Sequence, residues 1–422
     1  MNRKNIFYWT LYDFANSIVI IVFFLYFSQW LVVEKGVSDF AYNMIFTAGS
    51  VLLLLTAPIL ASLADRNGKQ HYYLRSITLL SVALFILTSL VTLFWSREVM
   101  LAILFFLLAN YIYQFSFVFY NALLHKIAPP HMWGRISGLG QAGNWLGQVT
   151  GLLVTLPLAT GAVYLVGEAG RAQTFLPATI LFLLLTLPML FLFKLSKQQA
   201  EPAGEKVKLG SLYREQWGKF RELIRIPGVG LFLLAYFFFN DAILTAANNF
   251  PIYLQNVFAV SDTTKSLLLM GILATSAIGA LLAGWMADKV GLKKTLMFVL
   301  GSWVVILPLL GSVSNFKLFV VYTVIMGLLY GSVWAVTRAA MTALVPPERM
   351  NFGFSFYGIA ERVSTLVGPV TWGLISTLLV HLGPTRYRIA VSAMAIFVII
   401  GLLIMRKVQI PKTNNTINNA SV

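Results

Sequence analysis

Cysteine is absent from the chain, which excludes disulfides, thiolate metal sites and thiol nucleophiles and leaves the compartment open. Charge is nearly as scarce: Asp, Glu, Lys and Arg make up 11% of the 422 residues, less than half the roughly 25% of a soluble domain. Acidic residues are the scarcest, 15 against 31 basic ones. So little polar surface cannot cover a soluble globule of this length. What is present instead is apolar, with 58% hydrophobic residues. At roughly 20 residues per spanning helix, the composition predicts an all-α integral membrane protein that crosses the bilayer many times.

The net charge of +16 would in a soluble domain raise nucleic acid as a partner. A membrane protein instead concentrates Lys and Arg in its cytoplasmic loops. Hydropathy places twelve spans at about 7–33, 40–63, 73–95, 99–124, 136–166, 174–194, 229–257, 266–287, 295–313, 317–344, 352–380 and 388–405. With a cytoplasmic N-terminus, 22 of the 31 basic residues fall on the cytoplasmic side, 7 on the other, and Arg338 and Arg362 inside spans. Both termini are therefore expected in the cytoplasm, and no nucleic-acid partner is needed. Met1-Asn-Arg-Lys followed by an apolar run looks like a signal peptide, but the run is too long and contains Asp13; it reads as a retained first helix. The expected domains are a six-helix bundle at 1–195, a cytoplasmic linker at 196–228, a second bundle at 229–408 and a tail at 409–422. In the linker, Trp217, Phe220 and Ile224 recur at helical spacing among basic residues. That pattern suits either an amphipathic helix in the inner interface or a plain connection between bundles.

The two halves echo each other. Asp65-Arg66-x-Gly68-Lys69 follows the second span, and Asp288-Lys289-x-Gly291-x-Lys293-Lys294 follows the eighth. Pro129-Pro130 after the fourth span matches Pro346-Pro347 after the tenth, and Gly151 matches Gly368. Six spans are thus duplicated. The paired loops resemble the signature loop of the major facilitator superfamily. Tyr12-Asp13-Phe14-Ala15-Asn16-Ser17, Phe239-Asn240-Asp241, Thr337-Arg338 and Gly358-Ile-Ala-Glu361-Arg362 with Gly368-Pro369 resemble the vacuolar amino-acid effluxer-like (autophagy-related) family. Members usually carry a glycine where Ala242 stands and a serine where Thr337 stands. The resemblance implies twelve transmembrane helices in two pseudo-symmetric six-helix bundles, with spans one, four, seven and ten lining a central cavity.

Of 46 charged residues only Asp13, Asp241, Glu361, Arg338 and Arg362 fall inside spans. A charge near the bilayer centre costs at least about 2.5–3.5 kcal/mol, so these five are the functional candidates. Helical spacing gives them companions: Asn16 and Ser17 beside Asp13, Thr245 and Asn248 beside Asp241, and Tyr330 and Trp334 in line with Arg338. In the fourth span Asn110, Gln114, Asn121 and His125 share a stripe. At about 1.5 Å per residue, Asp13 and Arg338 lie near the same shallow depth and Asp241 near the midplane. Asp241, Asn248 and Gln114 are expected to bind solute or proton, and Asp13 with Arg338 to form a cytoplasmic gate. Glu361 and Arg362 point about 100° apart on a helix and cannot share a face. One of them is expected toward the cavity or domain interface and the other against a signature loop. The resemblance implies a conformational latch at Asp65, Arg66, Asp288 and Lys289. Gly143, Gly147 and Gly151 recur every four residues, the spacing of close helix packing.

Four scattered histidines give no metal site, and no nucleophile triad, phosphate loop or carboxylate pair suggests an enzyme or a cofactor. The expected function is secondary active transport of an amino acid or related zwitterion by proton-coupled alternating access, possible as export, by a monomer in a prokaryotic plasma membrane. Two alternatives stay open: an exporter of amphipathic drugs or lipids on the same fold, and a non-transporting receptor or scaffold.

Overall fold

The computed structural model describes residues 2–37, 39–67, 70–166, 170–194, 209–364 and 367–411. They are helical almost throughout. The longer helices are α1 (Arg3–Val22), α2 (Asp39–Asn67), α3 (Gln70–Phe94), α4 (Val99–Ala122), α5 (Trp133–Ala159), α6 (Phe175–Leu187) and α7 (Leu209–Arg225). There follow α8 (Val229–Asn248), α9 (Asp262–Val290), α10 (Leu292–Ser312), α11 (Phe316–Leu344), α12 (Met350–Val363), α13 (Val367–Leu378) and α14 (Thr385–Lys407). Asn2, Ser261 and Asn315 cap α1, α9 and α11 with side-chain oxygens that accept first-turn N–H groups, as such residues do before an apolar helix.

Among the described residues nine helices are long and apolar enough to cross a membrane, and they fall on nine of the twelve expected spans. The other three expected spans are helical but fall short of that standard. Among the described residues of α2 the apolar stretch found is Val51–Asp65, and α5 is diluted by Gln141, Asn144, Gln148 and its glycines. The stretch expected at 352–380 is two helices, α12 and α13.

Contacts divide the chain into two compact units. The first comprises 1–127, 143–216 and 348–355, and the second 128–142, 217–347 and 356–422. Two helices therefore change unit along their length: α5 after Ala142 and α12 after Ser355. In the first unit α1 packs on α6, and α3 on α4. Its core is aromatic: Phe27 lies 4.2 Å from Phe106, and Phe23 4.6 Å from Phe85 and 4.8 Å from Phe175 between ring centroids. The glycines of α5 press on α1, where a Cβ on Gly147 would strike the Phe14 carbonyl and one on Gly151 the Ile18 carbonyl. In the second unit α9 and α11 approach so closely that a Cβ on Gly279 would meet the Leu328 backbone and one on Gly331 the Ser276 backbone. Ser276 and Ser332 donate across that seam to the Gly327 and Gly279 carbonyls at 2.9 and 3.0 Å. Small residues with hydroxyl bonds are how helices associate where the solvent is hydrocarbon.

In the stripe Trp217, Phe220 and Ile224 of α7 the Trp217 and Phe220 rings lie 5.4 Å apart. Phe220 stacks on Phe356 at 4.6 Å, whereas Trp217 and Ile224 are exposed. Leu223, one residue from Ile224, is the side chain that α7 buries completely.

Candidate functional site

In the first unit Asp13 lies on the buried face of α1 and is 1% exposed. Tyr120 Oη donates to its Oδ2 at 2.9 Å and Asn144 Nδ2 to its Oδ1 at 3.0 Å. Gln148 extends the chain by donating to Asn144 Oδ1 at 2.9 Å. Tyr120 is itself held in a stack between Trp9, at 4.6 Å, and Tyr12, at 5.2 Å. Charge-assisted bonds of this kind are each worth about 1.5–3 kcal/mol, enough to hold a carboxylate in an apolar bundle. Asn16, one turn on, is fully buried with neither side-chain atom hydrogen-bonded. Gln114 is buried and its Oε1 is likewise unpaired.

In the second unit Asp241 and Thr245 meet the start of α13. The Gly368 N–H donates to Asp241 Oδ2 at 2.6 Å. A Cβ on Gly368 would collide with Thr245 Oγ1 and come within 2.8 Å of Asp241 Oδ1, so only glycine admits this approach. The preceding residue, Asn240, donates to Ser364 Oγ at 2.7 Å, just past the end of α12. Adjacent residues of α8 thus bind Ser364, just past the end of α12, and Gly368, in the first turn of α13. Asp241 Oδ1 and Thr245 Oγ1 are buried and unpaired. Asn248 does not join them; it ends α8 and is exposed.

Arg338 is 2% exposed and donates to Ser137 Oγ at 3.0 Å and to the Ser137 carbonyl at 2.6 Å. Ser137 Oγ in turn donates to the Ala335 carbonyl at 2.6 Å. Trp334 packs edge-on against Tyr330 at 4.6 Å. At the Thr337 position, where a serine is usual, the hydroxyl reaches the Tyr357 hydroxyl at 2.9 Å. Glu361 neighbours Tyr236, Tyr330 and Tyr357 electrostatically, and Arg362 beside it is exposed.

Both signature aspartates sit at helix N-termini, whose first N–H groups lack intrahelical partners. Asp65 accepts from the Asn351 and Phe352 N–H groups at 3.2 and 2.9 Å and from Asn351 Nδ2 at 2.6 Å, all in the first turn of α12. Asp65 lies two residues past its expected span. Burial pushes its carboxyl up to about 6, outweighing the Phe352 and Asn351 donors that favour the charge. Asp288 accepts from the Gly134 and Arg135 N–H groups at 2.8 and 2.9 Å, at the start of α5. The helices so capped are the two that change unit along their length. Lys289 stands over the Trp285 ring, 3.9 Å from its centroid, on an exposed face. The Arg66 side chain lies outside the described residues.

Sequence patterns therefore located the buried charges but not what holds them. Tyr120, Ser137, Asn144 and Asn351 are neutral and distant in sequence; Gly368 was marked, by its match to Gly151 and by the Gly368-Pro369 element.

The family model described as Major Facilitator Superfamily matches residues 10–257 and 232–420. An uncharacterized MFS-type transporter of Bacillus subtilis (strain 168), YxiO, is 22% identical over 409 residues, 94% of this chain and 93% of that protein. Autophagy-related protein 22 of Pichia angusta is 29% identical over 181 residues, which cover 39% of this chain and only 31% of that protein. Among solved structures, the human organic anion transporter MFSD10 (TETRAN) superposes with a TM-score of 0.75 at 11% identity, over 96% of this chain and 99% of that one.

Proposed function

The chain belongs to the Major Facilitator Superfamily, and from that premise we propose that this multi-pass membrane transporter moves a small polar zwitterion, an amino acid or a close relative, by proton-coupled alternating access. Family membership makes it a transporter rather than an enzyme. In this reading the polypeptide works as a monomer of twelve spans, in two bundles at 1–195 and 229–408, with both termini in the cytoplasm of a prokaryotic plasma membrane. The charge asymmetry of its loops and the full-length likeness to a Bacillus protein support that placement. The resemblance of Tyr12–Ser17 to the vacuolar amino-acid effluxer-like family supports the solute class and export as the direction.

The state of Asp241 is what most supports coupling. It is sealed from solvent, has one oxygen on a helix N-terminus and leaves the other unpaired beside the unpaired Thr245 hydroxyl. A solute has no access there, whereas a proton needs no space. Protonation weakens the bond that Asp241 accepts from the Gly368 N–H and so links proton binding to the first turn of α13. Asn16 and Gln114, buried with unpaired amide atoms, are the polar groups that the first unit can offer a solute. Asp13 in the first unit and Arg338 in the second each serve as gating charges; Asp65 and Asp288 set how firmly α12 and α5 are held.

The test is solute flux in proteoliposomes under an imposed pH gradient. Asp241→Asn keeps the size and loses the titration, so gradient-driven accumulation falls about tenfold or more, equivalent to about 1.4 kcal/mol or more in barrier height. Equal accumulation by the variant would remove Asp241 from the coupling step.

A further inference from the structure

We propose that Glu361, walled by Tyr236, Tyr330, Tyr357 and Trp334, forms a subsite for an alkylammonium group and takes the positive end of the solute. The proposal rests on the transporter reading for the arrival of a solute, and on the second unit alone for its geometry. Glu361 on α12 has two aromatic pairs about it. Tyr236 of α8 stacks on Tyr357 of α12 at 4.5 Å and 20°, and Tyr330 meets Trp334 edge-on within α11 at 4.6 Å and 71°. The carboxylate is in electrostatic reach of all three tyrosines, and Tyr236 also approaches Trp334, which joins the pairs into one wall. The Tyr236 side chain is fully buried beside Glu361.

Arg338 is the cation near the wall itself, acting on Tyr357. Among the described residues the charged neighbour of Glu361 is Arg362, next in the chain, turned about 100° away on the helix and exposed. Glu361 is enclosed by protein atoms yet keeps part of its surface accessible, and so does Tyr330. Asp241 is the opposite case, wholly inaccessible with one oxygen spent on Gly368. Part of the Glu361 residue is accessible where Asp241 is not.

A carboxylate in such surroundings is costly without a counter-charge, and aromatic faces attract cations through their quadrupole. The two effects select the same ligand, a cation with apolar surface. A bare metal ion is a poor fit, because among the described residues no three His, Cys, Asp or Glu side chains converge. Alkylammonium chemistry belongs to α-amino acids and to quaternary amines such as choline alike.

Equilibrium binding to the purified, detergent-solubilised full chain separates these sources. Four probes are titrated calorimetrically: leucine, its ammonium-free analogue 4-methylpentanoate, choline, and the neutral isostere 3,3-dimethylbutan-1-ol. At least one ammonium probe binds the wild type, and binds at least about tenfold more tightly than its ammonium-free partner, a difference of about 1.4 kcal/mol. Leucine alone identifies an amino-acid site, and choline alone or both identify a broader ammonium site. Glu361→Gln weakens the bound probe about tenfold or more. Tyr330→Phe keeps the ring and changes affinity little, whereas Tyr330→Leu weakens it about two- to thirtyfold, the span of one cation–π contact. Gel-filtration profiles and unfolding midpoints establish that each variant is folded. Binding of the ammonium-free probes as tight as that of their partners, no binding by any probe, or a folded Glu361→Gln with unchanged affinity would overturn the proposal. Ammonium-selective binding through Glu361 in a protein that moves no solute would retire the transporter reading and leave the subsite. Solute flux indifferent to Glu361→Gln with no ammonium preference would do the reverse.

Discussion

At the scale of residues, a charge inside this protein is defined by the neutral groups that receive it. Asp13 rests on a tyrosine and an asparagine, Arg338 on a serine, Asp241 on a backbone N–H. The charges were legible because hydrocarbon makes them rare. Their receivers were not, because a buried Tyr120 or Ser137 has the same apolar context as any other. Asp65 carries a pH prediction. Its carboxyl is raised to about 6, against about 3.9 for an unstructured aspartate, so the folded arrangement holds the proton more tightly than the unfolded chain does. The stability it contributes is complete below about pH 4 and is lost as pH rises through 6. In chemical unfolding of the detergent-solubilised protein, the stability gap between wild type and Asp65→Asn therefore changes by roughly 2 kcal/mol from pH 4 to 7.5, with the wild type losing ground as pH rises. A gap that is flat across this range contradicts the assignment.

Helices bring in a second constraint, how near two backbones come. The α9–α11 seam depends on Gly279, Gly327 and Gly331 having no Cβ. Gly331→Leu should cost about 1–3 kcal/mol through overpacking and lower the unfolding midpoint, while Gly301→Ala, at a glycine with open space about it, should leave it unchanged. Equal shifts would show that the seam is not where tightness resides. The glycine stripe of α5 was readable from its four-residue period, and it does lie on α1. What holds Ser364 and Gly368 was not readable, since hydropathy runs on through 352–380 and the contacts come from Asn240 and Asp241 of α8. A tertiary contact made by residues more than a hundred positions away leaves no local trace. The same explains α7: its helical period was visible, but not that Phe220 and Leu223 would turn inward while Trp217 stays out.

For the molecule as a whole, duplication and charge asymmetry were the strongest signals in the sequence, and the all-helical superfamily fold follows them. The equivalence of Asp65 and Asp288 extends to their contacts, each capping a helix that changes unit along its length. Asp288→Ala removes one cap and should cost about 0.5–2 kcal/mol, read as a fall in thermal unfolding midpoint, with an unchanged midpoint arguing against the cap. The absence of cysteine lets topology be measured without background labelling. In intact cells a single cysteine at Arg97 should react with a membrane-impermeant maleimide and one at Lys293 should not; the reverse pattern would invert the orientation.

The central claim is that a buried aspartate couples a proton to the movement of a small zwitterion. Its most direct test is accumulation of labelled leucine in proteoliposomes, with pH gradients of both signs, for wild type and Asp241→Asn side by side. The account predicts that the wild type accumulates or expels leucine according to the gradient and that the folded Asp241→Asn responds to neither sign. Leucine flux in both proteins with the same dependence on the gradient, or flux in the wild type that ignores the gradient altogether, would contradict it.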